Sequence, residues 1–278
     1  MMDNILSKEQ INFLNSSGYI IVDDFFTNNE LETFKETLRL IIQYQIRKAT
    51  NNNMNTDNIV IGEEFSNGML ELEKFDHDYI ADISDYLLSI PETFLLLSKP
   101  ELKFIINQLL QIDLNSPLYI TNTGIIVSMP NDEDHTYGWH KEYFTTIPDS
   151  KFFQIWSPMV DNATADLGTI MVCPGSHLAT WKGQIRVQNN RQSKSYQITK
   201  EELEKYDKVS IELELGQLVI MSPGLIHRSG NNKSNNCRFS LVGIYHQIEN
   251  NGIRPWVPTY NYKGKTNIEY YNELYDDQ

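Results

Sequence analysis

The chain has 278 residues, of which 40% are hydrophobic and 11% aromatic, enough for a sizeable core and too apolar for a largely disordered chain. Its formal net charge of -14 argues against nucleic acid and anionic membranes as partners. No apolar run reaches bilayer-spanning length, the start Met1-Met2-Asp3-Asn4 has no signal-peptide pattern, and two cysteines, Cys173 and Cys237, make neither a zinc pattern nor a disulfide framework. Both thiols are expected to be free and buried, and the reducing cytoplasm is the expected compartment.

The first third reads as helical. Ser7, followed by Glu9 and Gln10, starts a short helix that Gly18 ends. Ile20, Ile21 and Val22 form a short strand. Thr27 or Asn28 caps a long helix whose apolar positions Leu31, Phe34, Leu38, Ile41, Ile42 and Ile46 keep helical spacing. A polar loop is expected from about 50 to 75. Helices resume over roughly 77 to 111, divided by first-turn prolines Pro91 and Pro100.

From about 118 the texture changes to short runs of β-branched and aromatic residues. These are Leu118 to Val127, Phe152 to Val160, Thr169 to Cys173, Val209 to Leu215, Gln217 to Met221 and Arg238 to His246. Ile211, Leu213 and Leu215 alternate with Glu212 and Glu214, the pattern of a strand with one solvated face. Evenly spaced strands of this kind predict an α+β protein with a mainly β core of sandwich or jelly-roll type. One domain is expected over 1–278: a mainly helical flank (1–115), a jelly-roll core (116–250) and a tail (251–278). A second long loop is expected over about 178 to 200, carrying Lys182, Arg186, Arg191 and Lys194. These cations favour an anionic small-molecule substrate. The tail holds Tyr260, Tyr262, Tyr270, Tyr271 and Tyr275, suited to wrapping the surface or to a dimer contact, so monomer and homodimer both stay open.

The chemistry centres on Trp139-His140-Lys141-Glu142 and Ile226-His227-Arg228-Ser229. Two imidazoles and one carboxylate are the ligand set of the facial triad that holds non-heme Fe(II) and leaves positions open for a bidentate cosubstrate and O2. In extended chain, residues two apart share a side. His140 and Glu142 therefore face one cavity, Lys141 points away, and His227 closes the site from another strand. Arg238 and Ser240 are again two apart, and an Arg with a hydroxyl on one strand face suits a carboxylate. Other residues read as structural. His177 belongs to a turn, His135 and His77 sit among acidic neighbours, His246 is expected to be packed, and Trp139 and Trp156 are expected in core positions.

Beyond the triad, four features stand out. They are Trp156 to Asp161, the strand and turn Leu167 to His177 with its Pro174-Gly175-Ser176-His177, the run Gly216 to His227, and Arg238. On these stretches, within residues 118 to 247, the chain resembles the phytanoyl-CoA dioxygenase family of Fe(II)- and 2-oxoglutarate-dependent oxygenases. The resemblance implies a double-stranded β-helix flanked by N-terminal helices. It implies iron ligands His140, Glu142 and His227. It implies that Arg238, assisted by Ser240, pairs with the distal carboxylate of 2-oxoglutarate, with Asn122 or Thr123 as a further cosubstrate contact. The activity implied is hydroxylation of an unactivated C–H bond of a small molecule, with O2 consumed and succinate and CO2 released. Two alternatives stay open: a cupin-like metal-dependent isomerase or lyase without 2-oxoglutarate, and a non-catalytic descendant with a vestigial site. One position departs from the family, whose usual acid is Asp where this chain has Glu142, one methylene longer.

Overall fold

The computed structural model describes residues 6–51, 65–132, 138–142, 151–179, 184–188 and 194–248, without the side chains of Asn122, 184–188 and 194–197.

Helix α1 (Lys8–Ser17) starts at a capping box in which Ser7 and Gln10 satisfy each other's backbone, and ends at Gly18 in the left-handed conformation. Strand β1 (Tyr19–Val22) follows. Thr27 and Glu30 form a second capping box at the head of α2 (Asn28–Ala49). Leu31, Phe34, Leu38, Ile42 and Ile46 make its buried stripe, as the spacing predicts. Next come α3 (Phe65–Phe75), α4 (Asp78–Leu87), α5 (Pro91–Leu97) and α6 (Pro100–Leu110), the last two beginning at their expected prolines.

The strands are β2 (Leu118–Ser128), β3 (Phe152–Pro158), β4 (Ile170–Cys173), β5 (Gln184–Gln188), β6 (Lys194–Ile198), β7 (Val209–Ser210), β8 (Leu218–Met221), β9 (Ile226–Ser229) and β10 (Arg238–Gln247). A short helix α7 (Lys200–Leu203) follows β6. The large antiparallel sheet has the order β1-β8-β3-β10-β2 and the small one β7-β4-β9. This is the expected α+β jelly roll. The strand from the helical flank, β1, pairs with β8 at the sheet edge, from Tyr19 opposite Met221 to Val22 opposite Leu218.

Alternation along β3, β8 and β10 builds two cores. Ile155, Ile220, Leu241 and Tyr245 face out and pack with the helical residues Phe34, Leu38, Ile42 and Leu97. Trp156, Val219 and Met221, with Val242 beside them, face in against Ile170, Val172, Ile211, Leu213 and Leu225. The second layer separates the sheets and leaves the functional side chains at its margin. Tyr245 ties the layers together, its hydroxyl donating to the Leu97 carbonyl at 2.7 Å.

Three expectations change. Of the loop expected from 50 to 75, residues 65–75 are instead α3, because Phe65, Met69 and Leu72 form a buried stripe that packs in the same core as α2. The polar stretch from 178 to 200 contains the antiparallel pair β5–β6, with Gln184 opposite Ile198 and Gln188 opposite Lys194. The alternation Gln184-Ile185-Arg186-Val187-Gln188 already carries a strand signal in the sequence, which the polarity of the surrounding stretch outweighs. The strand expected over Val209 to Leu215 is regular only at Val209–Ser210. The alternation beyond it is nonetheless real: Ile211 and Leu213 are buried, and Leu213 bridges Ala163.

Candidate metal and cosubstrate site

His227 lies on β9, paired across β4 with Val172. His140 joins the same sheet as an isolated bridge: its N–H donates to the His227 carbonyl at 3.0 Å, and the His227 N–H donates back at 3.0 Å. This places the two rings 4.3 Å apart between centroids. Glu142, two residues on, comes to the same side as expected. Its Oε2 lies 3.4 Å from His140 Nε2 and 3.6 Å from His227 Nε2. One ligand atom from each of the three residues falls within 4.8 Å of the others.

The tautomers follow from the remaining nitrogens. His140 Nδ1 donates to the Gly138 carbonyl at 2.7 Å and His227 Nδ1 donates to the Leu225 carbonyl at 2.9 Å. A carbonyl accepts only from N–H, so each neutral ring turns the lone pair of Nε2 toward Glu142. Three electron-rich atoms at such distances need a cation among them. Burial pulls the His227 imidazole below its usual range, which disfavours a proton there. Burial also pushes the Glu142 carboxyl up, but with no metal present an imidazole that takes a proton at Nε2 donates to it, and this contact outweighs burial and holds the group well below the usual carboxylate range. The donor set thus fits a divalent metal of imidazole and carboxylate preference, and the longer Glu142 reaches the meeting point.

Arg238 opens β10 and is 3% exposed. Its Nε donates to Ser240 Oγ at 3.1 Å, and its guanidinium carbon lies 5.9 Å from the centre of the Trp156 ring. Its Nη1 is buried and has no hydrogen-bond partner among the described residues. Burial lowers its pKa to about 10, which still leaves the group charged at neutral pH. A buried guanidinium with an unused N–H fits an anionic ligand, since leaving it so costs free energy. Trp156 is therefore both a core residue and the surface on which Arg238 rests.

The other expected residues separate cleanly. Lys141 does point away from Glu142, and its ammonium donates to the Ser176 carbonyl at 3.3 Å. His177 is structural: its Nε2 donates to the Asn15 carbonyl at 3.1 Å, holding the turn to the end of α1. His77 is at the surface beside Glu73. Trp139 packs near Cys173, Ile198 and Ile226, under the Arg228 guanidinium. Cys173 and Cys237 are free and buried, their thiols pushed up by burial to about 11 and about 12. Thr123 is partly buried on β2, whereas the side chain of Asn122 lies outside the described residues. So do His135, the cations of 182 to 194 and the tyrosines of the tail.

His246 is packed, as expected, but its partner escapes sequence reasoning. His246 is 1% exposed, and its Nε2 lies 2.7 Å from Thr121 Oγ1 on β2. It shares the face of β10 that carries Arg238, Ser240 and Val242, and the charge of Glu142 reaches it. Its even spacing from Arg238 along β10 is the only sequence signal for this side of the strand.

A jelly roll that converges two histidines and one carboxylate at a buried point, with a buried arginine on the facing sheet, is the architecture of a non-heme iron oxygenase. The chain belongs to the phytanoyl-CoA dioxygenase family, whose model matches residues 14–240, and it is an iron- and 2-oxoglutarate-dependent dioxygenase. It is 24% identical to a probable phytanoyl-CoA dioxygenase of Caenorhabditis elegans, over 87% of this chain and 76% of that one. Among solved structures it is similar in fold to EctD from S. alaskensis with bound Fe (TM-score 0.59, 16% identity, 92% of this chain and 81% of that one). It is similar also to EvdO2 from Micromonospora carbonacea var. aurantiaca (TM-score 0.58, 16% identity, 90% and 95%). A third is the carbocyclase SnoK from nogalamycin biosynthesis (TM-score 0.55, 14% identity, 91% and 88%). Among the described residues no helix is long and apolar enough to cross a membrane.

Proposed function

We propose that His140, Glu142 and His227 hold the Fe(II) of this dioxygenase, that Arg238 with Ser240 takes the distal carboxylate of 2-oxoglutarate, and that the product is a hydroxylated small molecule. The observation that carries this reading is the convergence of two Nε2 lone pairs and one buried carboxylate while both Nδ1 atoms are committed to carbonyls. When bound, iron and 2-oxoglutarate supply the oxidising power, with O2 consumed and succinate and CO2 released. The chain's own residues position. The Gly138 and Leu225 carbonyls orient the rings, Glu142 offsets metal charge, and Arg238 supplies a fixed cation at the far end of the cosubstrate. The buried Trp156 ring beside Arg238 helps to keep water from that end.

The pair His246–Thr121 supports a substrate contact on the large sheet. Burial lowers the His246 pKa to about 4, so the ring is neutral at physiological pH and suits a hydroxyl or amide of the substrate more than an anionic group. An anionic substrate would instead draw on the cations between 182 and 194. The chain acts as one oxygenase domain, consistent with β1 completing the large sheet, and a cytoplasmic setting accords with two free buried thiols.

The test is an anaerobic titration of the purified chain with Fe(II) and then 2-oxoglutarate. Chelation is expected to produce a visible metal-to-ligand charge-transfer band. An iron-loaded protein that gives no band on adding 2-oxoglutarate would overturn the assignment.

A further inference from the structure

Among the described residues, the segment that carries His140 and Glu142 is held by backbone bonds only up to His140: the Trp139 carbonyl accepts from the Ile198 N–H at 2.8 Å, and His140 pairs with His227. It meets β9 through the single His140–His227 bridge, and Glu142 lies two residues beyond it. The lysine between the two ligands supplies a side-chain hold beyond that last backbone pair. Lys141 is 2% exposed, and its ammonium runs away from the metal side to the Ser176 carbonyl, in the turn that follows β4. The hydroxyl of the same Ser176 accepts from the Ile226 N–H at 2.8 Å, and Ile226 immediately precedes His227. The contacts close a ring from His140 to Lys141, Ser176, Ile226, His227 and back to His140.

A buried ammonium is costly, and an apolar side chain of the same length would fill this space at less cost. The Ser176 carbonyl is its hydrogen-bond acceptor among the described residues, and the carboxylate of Glu202, 6% exposed, supplies the opposing charge. Glu202 is itself anchored to Lys205 at 2.6 Å and to the Tyr206 hydroxyl at 3.2 Å. The charge is therefore held from both sides, and what it holds is the spacing between the two arms of the triad.

We propose that Lys141 is a positioning residue that sets the distance of Glu142 and His140 from His227 through Ser176, and so tunes the affinity and geometry of the metal centre. The proposal rests on the triad reading above. A single cross-link matters most where the acid has the longer glutamate side chain, because Glu142 has one more torsion to fix than an aspartate would.

The test uses the full chain and Co(II) as a spectroscopic probe for the metal. His227→Ala comes first: loss of stoichiometric Co(II) binding establishes the triad, and retained binding would overturn the triad reading, and the clamp with it, by a different experiment from the one that tests Lys141. Lys141→Met keeps the stem and removes the charge. Partners that orient ligands typically change metal affinity roughly 10- to 100-fold, and a loss in that range with a shifted Co(II) d–d spectrum is expected. Lys141→Arg, which can still reach a carbonyl, is expected to restore most of the affinity. A purely structural lysine would lower Tm and leave the affinity and spectrum of the folded fraction unchanged, and that result overturns the proposal. If Lys141→Met does not fold, Ser176→Ala breaks the ring at the Ile226 N–H instead. Weakened Co(II) binding there supports the clamp, and wild-type affinity with a wild-type spectrum overturns it.

Discussion

Arg238 lies over the Trp156 ring, 5.9 Å from guanidinium carbon to ring centre, with its Nε spent on Ser240 and its buried Nη1 without a partner among the described residues. The bond to Ser240 orients the guanidinium before any ligand arrives, and the unused N–H is what a carboxylate would take. Arg238→Met should therefore weaken 2-oxoglutarate binding and spare the metal. Removing one partner of a buried charge pair costs about 2–5 kcal/mol, so a loss of roughly 30-fold or more is expected. Equilibrium titration of the Fe(II)-loaded variant with 2-oxoglutarate measures it, and unchanged affinity would remove Arg238 from the cosubstrate site.

Glu142 invites two substitutions. Glu142→Gln keeps the shape and removes the charge that faces the two Nε2 atoms, so metal affinity should fall roughly 100-fold or more, beyond the effect of losing an orienting partner. Glu142→Asp restores the family's usual acid but shortens a reach that the present backbone was built around, and it should bind metal more weakly than wild type. Calorimetric titration with Co(II) ranks the three proteins. Tighter binding by the Asp variant would show that Glu142 is a departure from the optimum rather than part of it.

Metal affinity should also carry a pH signature. Ligation requires neutral imidazole and ionised carboxylate. The His227 and Glu142 pKa values are both depressed, so protons begin to compete for these two groups only below their ordinary ranges of 6.5 and 4.5. As far as these two groups set it, Co(II) affinity measured from pH 8 downward should stay near its plateau through pH 6.5 and fall only at lower pH. NMR titration of the His227 ring in the metal-free chain isolates its share, and a midpoint at 6.5 or above there would contradict a buried neutral His227.

Stability has its own acid limb. The folded His246 pKa is about 4, against 6.5 for the free group. Between those values the unfolded chain binds a proton that the folded chain does not, so stability drops as pH falls from about 6.5 toward 4. The full shift corresponds to about 3 kcal/mol. His246→Gln can still reach Thr121 and does not titrate. Urea unfolding at pH 7.5 and pH 5 should show a smaller pH difference in the variant than in wild type.

Gly168 has φ +75°, and a Cβ there would stand 2.6 Å from the Gly230 carbonyl oxygen and 2.7 Å from the Asn232 N. Both are backbone atoms and cannot swing aside. Gly168→Ala should therefore destabilise by about 2–4 kcal/mol, more than the usual single substitution, through both the left-handed backbone and the clash. It displaces the loop between β9 and β10, which connects His227 to Arg238. Thermal unfolding gives the cost, and reduced Co(II) affinity at a temperature where the variant is folded would show the displacement reaching the site.

Much of this molecule is local in origin and so is written in the sequence. Ser7, Thr27, Pro91 and Pro100 start helices because the first-turn N–H groups need acceptors or no donor at all. His140 and Glu142 share a side because an extended chain alternates, and Arg238 and Ser240 follow the same rule. The tertiary structure decided what depends on distant partners. α3 forms beside an Asn-rich run because Phe65, Met69 and Leu72 find a core shared with α2. β1 leaves the helical flank to finish a sheet on β8. Lys141 accepts burial because Ser176 and Glu202 arrive from elsewhere in the chain, and His246 turns inward to a hydroxyl on β2. Local rules set which way a side chain points; only folding determines what it meets, because burial and charge compensation are properties of segments far apart in sequence.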